Sequence, residues 1–284
     1  MPFADIDHRR FHYQDTGGPG PVVVLSHGNL MDHSMWESQV AALCGEFRCI
    51  SWDERLHGRT EDDGAPHDFW DSARDLLALL DHLGIEQAAL VGHSQGGFLS
   101  LRAALLAPGR VRALVLVDSA AVSWPTPALA QMAQVAEGFR AGGPEAVAPE
   151  LLGLLLGPRD QFPDLHSRWQ ATWQRQSRER LATAVGVLMG VDTMATRLAE
   201  ISAPTLVIHG EADRPVPLEL GAMLSEVLPG ARPLVLIPGA GHTPPLTHPE
   251  PVNLALTAFL RTHAHPTAVT TSRTTTDATA NAAG

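Results

Sequence analysis

The chain has 284 residues, 44% apolar and 18% charged, with a mean hydropathy of -0.01. That composition supplies a sizeable core and excludes an intrinsically disordered chain, which is poor in apolar residues and rich in charge. Twenty Lys and Arg against 31 Asp and Glu leave a net charge of -11, so the concentrated basic surface that a nucleic-acid backbone demands is missing and no nucleic-acid partner is expected.

Ala4 to Gln14 alternates in polarity and reads as an antiparallel edge hairpin turning near Asp7-His8. Pro21 to Ser26 is a continuous apolar run of buried-strand type, followed by a helical stretch from Met35 to Leu43. Arg48 to Trp52 is the next strand. Asp68 to Leu83 places apolar residues at 69, 73, 76, 77, 80 and 83, the period of an amphipathic helix, and Gly84 stops it. Ala88–Val91, Ala113–Val117, Thr205–Ile208 and Leu234–Ile237 complete the strand set. Apolar strands alternating with helices predict an α/β fold, with a mostly parallel sheet covered on both faces.

One stretch breaks the alternation. From 119 to 203 no strand pattern occurs; helical patterns are punctuated by Pro125, Pro127, Gly142-Gly143-Pro144, Gly157-Pro158 and Pro163. This predicts a helical cap inserted after the sixth strand, with 1–118 and 204–261 forming the core. Leu30, Trp124, Met132, Leu155 and Trp169 are the candidates for lining a substrate pocket. Residues 262–284, rich in Thr and Ala and without periodicity, are expected to form a disordered tail. Cys44 and Cys49 form neither a CxxC nor a zinc pattern. No apolar run approaches the roughly 20 residues of a membrane span. The first residues lack the regions of a signal peptide. A cytoplasmic protein without a membrane partner, monomeric or homodimeric, is expected.

The chemistry centres on Val91-Gly92-His93-Ser94-Gln95-Gly96-Gly97, a G-x-S-x-G between an apolar strand and a helical pattern. The turn is tight enough to demand glycine at 92 and 96, and it lifts the Ser94 hydroxyl to the mouth of a helix N-terminus. A serine needs a base. Position selects His242, in the glycine-bearing loop Gly239-Ala240-Gly241-His242 after the last strand, over its rival His248, which reads as the start of the final helix. The base needs an acid. Asp213, in the loop after a strand, is favoured over Asp118, which also ends a strand, because the order Ser, Asp, His suits an elbow hydrolase. Glu211 is a weaker choice. A tetrahedral oxyanion would take the backbone N–H groups of Gln95 and Asn29, with Leu30 as the substitute.

Taken with Trp52-Asp53-Glu54-Arg55-Leu56-His57-Gly58-Arg59-Thr60 and His209-Gly210-Glu211-Ala212-Asp213, these motifs resemble the α/β-hydrolase fold family from about Phe3 to Leu260. Within it the chain is most similar to small capped bacterial esterases and lactonases of the 3-oxoadipate enol-lactonase type. The resemblance implies Ser94 as nucleophile, Asp213 as acid, His242 as base, and Asn29 and Gln95 as the oxyanion hole. It departs from many relatives at Leu56, where they carry glycine, and at Asn29, where they carry an aromatic residue. A serine at the elbow disfavours the chemistries of relatives that use aspartate there. No HExxH or clustered Cys/His set indicates a metal, and no G-x-G-x-x-G follows the first strand. The expected activity is therefore cofactor-free hydrolysis of a small, moderately hydrophobic carboxylic ester or lactone. The alternatives are C–C bond hydrolysis, perhydrolysis, or a small-molecule receptor with slow turnover.

Overall fold

The computed structural model describes residues 2–265. In chain order the elements are β1 (Phe3–Ile6), β2 (Arg9–Asp15), β3 (Val22–Ser26), α1 (Glu37–Leu43), β4 (Arg48–Trp52), α2 (Phe69–His82), β5 (Ala88–His93), α3 (Gln95–Leu106) and β6 (Val111–Val117). They continue with α4 (Thr126–Gly142), α5 (Pro144–Leu156), α6 (Pro163–Gln174), α7 (Arg178–Met189), β7 (Thr205–Gly210), α8 (Leu218–Val227), β8 (Val235–Ile237), α9 (Pro244–Thr247) and α10 (Pro249–His263). The expected edge hairpin is β1–β2, with Asp7 and His8 both at positive φ in the turn. The expected helix from Met35 is divided. Asp32 caps a 3-10 turn, His33–Trp36, through the Ser34 N–H, and the α-helix begins only at Glu37. At the other end of the chain, Thr262 and His263 belong to α10, which corrects the start expected for the tail; residues 266–284 lie outside those described.

Eight strands form one sheet in the order β1-β2-β4-β3-β5-β6-β7-β8. β1–β2 and β2–β4 pair antiparallel, and every later pair is parallel. Side chains alternate across the parallel strands as a period of two requires. Val23, Leu25, Val91, Val115, Leu206 and Ile208 join one apolar core, which also holds Leu43 of α1 and Val252, Leu256 and Leu260 of α10. Val24, Leu90, Leu114, Leu116 and Val207 face the opposite core, with Leu76 and Leu79 of α2, Leu99 of α3 and Leu224 of α8. This two-sided burial is why the strands read as unbroken apolar runs. α2 is held at its start by a capping box, in which Asp68 accepts the N–H of Trp70 and Asp71 and the Asp71 side chain accepts the Asp68 N–H.

Four helices, α4 to α7, intervene between β6 and β7. Their polar groups tie them to the loops after β3 and β4. The Trp173 indole N–H donates to the Leu30 carbonyl at 2.7 Å, and Gln176 Nε2 to that of Gly58 at 2.8 Å. Arg180 pairs with Asp62 at 2.9 Å. Within the β4 loop Leu56 is buried at φ 65, the left-handed region where a glycine would sit without strain. Strand order reverses at β3, whose neighbours are β4 and β5, so the loops leaving β3 and β5 open side by side at the carboxyl edge of the sheet. That is where open α/β sheets bind ligands.

Candidate active site

Gly92 to Gly97 make a sharp bend between β5 and α3. β5 ends at His93, α3 begins at Gln95, and Ser94 between them has φ 50 and ψ -113, a conformation non-glycine residues rarely hold. Such strain, about 1–3 kcal/mol, persists only when the surroundings enforce it. Here they do. A Cβ on Gly92 would stand 2.2 Å from the Gly96 carbonyl oxygen, and one on Gly96 would stand 2.2 Å from the Ser26 carbonyl oxygen. Strand, helix and the neighbouring strand therefore touch backbone to backbone at the bend.

His242 arrives on the loop after β8. Its Nδ1 lies 2.9 Å from Asp213 Oδ2, while Asp213 Oδ1 accepts the Val216 N–H at 2.9 Å. Burial alone would raise the Asp213 carboxyl, but the charge and hydrogen bond of His242 and the donors around it prevail, and it sits below the usual carboxylate range. An ionised Asp213 accepts only, so Nδ1 carries the proton and Nε2 is the free nitrogen of the neutral ring. Ser94 and His242 border the same cavity. Among the described residues no hydrogen bond joins the Ser94 hydroxyl to His242, a contact that commonly tightens only around a bound substrate.

Other histidines around the bend and its neighbouring loops serve the architecture. His93 Nε2 donates to the backbone carbonyl of His242 at 2.6 Å, and the two rings pack with centroids 4.9 Å apart. Burial and the neighbouring His242 drive His93 down to about 3, so it is neutral. His27 Nδ1 donates to the Gly28 carbonyl and its Nε2 accepts the Glu54 N–H. His57 Nδ1 donates to Arg55, leaving Nε2 to accept the Leu30 N–H at 3.0 Å. The Leu30 N–H is thereby unavailable as an oxyanion donor. His248 precedes α10 and packs edge-on to Phe162, away from the cavity lining.

Among the described residues no hydrogen bond is found for the Asn29 backbone N–H, and Gln95, as the first residue of α3, has no preceding turn to receive its own. The Asn29 side chain reaches the Ala184 carbonyl of α7 at 3.1 Å. Gln95 Nε2 donates to Glu54 at 2.8 Å; Glu54 is fully buried, and burial pushes its carboxyl well up, so it is a neutral acid beneath the bend. Sequence reading missed Glu54, because one acid next to a strand end reads as a turn residue.

The cavity encloses about 640 Å³. Of the expected lining residues, Leu30, Trp124, Met132 and Leu155 border it; Trp169 does not. Trp169 is fully buried in the core shared by the intervening helices and the sheet, because α6 turns its apolar face to α5 and the core and not to the cavity. Sequence reading also missed Gln131 of α4, Arg214, and the Pro215-Val216-Pro217 stretch leading into α8 with Glu219 and Leu220. The loop position of Asp213 was the available signal for the stretch that follows it; Gln131 carried none.

Among the described residues two buried acid–histidine clusters have metal-like spacing, His12 with His33 and Asp53, and Asp118 with Asp213 and His242. In the first, Asp53 accepts from His12 Nδ1, His33 Nδ1 and the backbone N–H groups of His33 and Arg59, so its oxygens are fully engaged in joining β2, β4 and the turn after β3. Those hydrogen bonds hold its carboxyl far below the usual range.

Residues 21–249 match the α/β hydrolase fold family. The chain belongs to that family. It is 32% identical over 254 residues to "Putative carbamate hydrolase RutD" of Pseudomonas savastanoi pv. phaseolicola, covering 84% of this chain and 93% of that one. The enol-lactonase of Burkholderia xenovorans LB400 superposes with a TM-score of 0.84 at 27% identity, over 92% of this chain and all (100%) of the other. A thermophilic esterase from Thermogutta terrifontis gives 0.83 at 30% identity, over 91% and 95%. These matches support a hydrolase as the broad class. Among the described residues, no helix is long and apolar enough to cross a membrane.

Proposed function

We propose that the protein is a serine hydrolase of a neutral, moderately hydrophobic carboxylic ester or lactone. The observation that carries the reading is the His242–Asp213 pair on the wall of the cavity that the strained Ser94 also borders. Ser94 attacks the carbonyl carbon as His242 Nε2 takes the hydroxyl proton, and Asp213 stabilises the imidazolium. The oxyanion is held by the N–H groups of Asn29 and Gln95, the latter strengthened by the start of α3. His242 returns its proton to the leaving oxygen, and water releases the acyl group from Ser94 by the same steps in reverse order of roles. No cofactor enters this sequence.

The lining supports the substrate class. Trp124, Met132, Leu151, Leu154, Leu155 and Leu188 supply apolar surface, and the arginine and the glutamate of the lining, Arg214 and Glu219, carry opposite charges. The volume falls in the range of drug-sized ligands. Residues 119–203 act as the cap that closes over this substrate and the two flanking segments as the catalytic core. The enol-lactonase and esterase neighbours lend the ester and lactone classes their support.

A panel of p-nitrophenyl esters and lactones tests the proposal. Repeated turnover on medium-chain members is expected, with Ser94→Ala lowering it by about 10³-fold or more. A single slow turnover with ligand-dependent thermal stabilisation would replace the enzyme with a receptor, and a strict preference for dicarboxylates would overturn the substrate class.

A further inference from the structure

Asp118, at the end of β6, lies beside the acid of the proposed triad and takes no part in the steps above. It is fully buried at φ 47, and its Oδ1 accepts the Gly210 N–H at 2.8 Å. Its Oδ2 is buried without a partner. One carboxylate oxygen each of Asp118 and Asp213 and a ring nitrogen of His242 all lie within 4.8 Å of one another. Among the described residues neither carboxyl group forms an ion pair with lysine or arginine. Two carboxylates this close in a dry site do not both ionise. Asp213 takes the charge, because it has both the Val216 N–H and the His242 ring N–H, whereas Asp118 has one backbone donor. The proton of the pair then has one unengaged place, Asp118 Oδ2, and Asp213 is the acceptor within reach.

We propose that Asp118 is a positioning residue, protonated in the working enzyme, whose Oδ2–H donates to Asp213 and holds that carboxylate against His242. The proposal rests on the serine-hydrolase reading for its catalytic consequence, though not for its geometry. Burial, the Asp213 charge and the hydrogen bond to it all push the Asp118 carboxyl well above its ordinary range. The other titratable groups facing this pair are His242 from the loop after β8, His209 of β7, whose Nε2–H is committed to the Val216 carbonyl, His93 behind His242, and Glu219 of α8, which faces His209. The donated hydrogen bond spreads the Asp213 charge and fixes which oxygen meets the imidazole.

The test compares the wild type with Asp118→Asn and Asp118→Leu by three readouts: the infrared carbonyl band of a buried protonated carboxyl group, the His242 titration by NMR of the resting protein, and kcat with KM. Asparagine keeps a donor in place of the acid proton without changing charge. Asp118→Asn should remove one component of the band and leave that of the buried neutral Glu54, His242 should titrate within about 0.3 unit of wild type, and kcat should stay within about threefold. Asp118→Leu should raise the His242 titration by about one unit, as Asp213 loses its donor, and lower kcat about tenfold or more with KM unchanged. The proposal is overturned if the difference spectrum between wild type and Asp118→Asn shows no carboxyl band, or if Asp118→Asn lowers the His242 titration by about one unit, as removal of a second negative charge would. It is equally overturned if both variants lose stability alike with no movement of His242. Should Asp118→Leu not fold, the band and the Asp118→Asn titration decide. Both are read without turnover, so a wild type inactive on every ester would count against the hydrolase and leave the acid pair to be judged.

Discussion

Gly96→Ala is the perturbation that probes the bend most cleanly. Gly96 lies within α3 and has no positive φ, so alanine suits its backbone. In a helix with open space, that exchange should stabilise by about 0.5–1 kcal/mol. At this position the new Cβ would stand 2.2 Å from the Ser26 carbonyl oxygen and 2.8 Å from that of His27, and contacts under 3.0 Å are essentially never seen. The first turn of α3 and the end of β3 must therefore separate by at least 0.8 Å, the difference between 3.0 and 2.2. Both neighbours are backbone, which cannot swing aside, so overpacking should cost about 1–3 kcal/mol. For a chain of this size that corresponds to a fall in Tm of about 2–12 °C. The separation also pulls Gln95 away from the His27–Leu30 loop, so the proposed oxyanion donors no longer converge. A displacement near 1 Å at reacting groups costs on the order of 10²-fold, and kcat/KM for a p-nitrophenyl ester should fall by that factor. Gly153→Ala in α5, where nothing lies within 4 Å of the added carbon, is the matched control and should be neutral or stabilising. Circular dichroism melts and initial rates suffice for both. If Gly96→Ala behaves like Gly153→Ala, close approach does not shape the bend and the reasoning is wrong.

Asp213→Asn should leave the melting temperature nearly unchanged while lowering kcat by about 10³–10⁴-fold, because an amide stabilises the wrong histidine tautomer; activity near wild type would assign the acid elsewhere. Leu155→Trp should fill part of the cavity and shift the preferred p-nitrophenyl ester to shorter chains, as measured by kcat/KM across chain length; an unchanged profile would place the substrate outside the cavity. Stability should also fall in acid. His93 binds a proton near 6.5 when unfolded but only at about 3 when folded, so below pH 6.5 the unfolded state holds more protons and folding weakens by about 1.4 kcal/mol per pH unit from this residue, or about 2 kcal/mol between pH 6.5 and 5. Urea titrations should show a flatter pH dependence for His93→Gln over that window, and an unaltered slope would mean His93 is not held neutral.

Much of this fold was readable because its strands are buried on both faces and its helices are punctuated. Asp68 and Gly84 bracket α2, and the short, β-branched run 205–208 between Pro204 and Gly210 suits a buried strand. The meeting of Ser94 and His242 at one cavity was legible for a similar reason: the glycines at 92, 96, 239 and 241 mark bends, and a side chain on such a bend is presented at the edge of the sheet. Trp169 shows where local pattern fails. Its helical spacing revealed an apolar face, but four stacked helices offer two places for such a face, and only the tertiary arrangement chooses between core and cavity. Asp118 and Asp213 each end or follow a strand, and the pattern invites a choice between them. The fold places both within one cluster, with His242 bonded to Asp213 alone.

The most direct measurement is intact-mass and peptide mapping after treatment with a fluorophosphonate, which reports a hydroxyl activated by a neighbouring base. One adduct per chain on Ser94 is predicted, absent in Ser94→Ala and strongly slowed in His242→Ala. No adduct, an adduct on another residue, or labelling of Ser94 at the same rate without His242 would contradict the catalytic assignment.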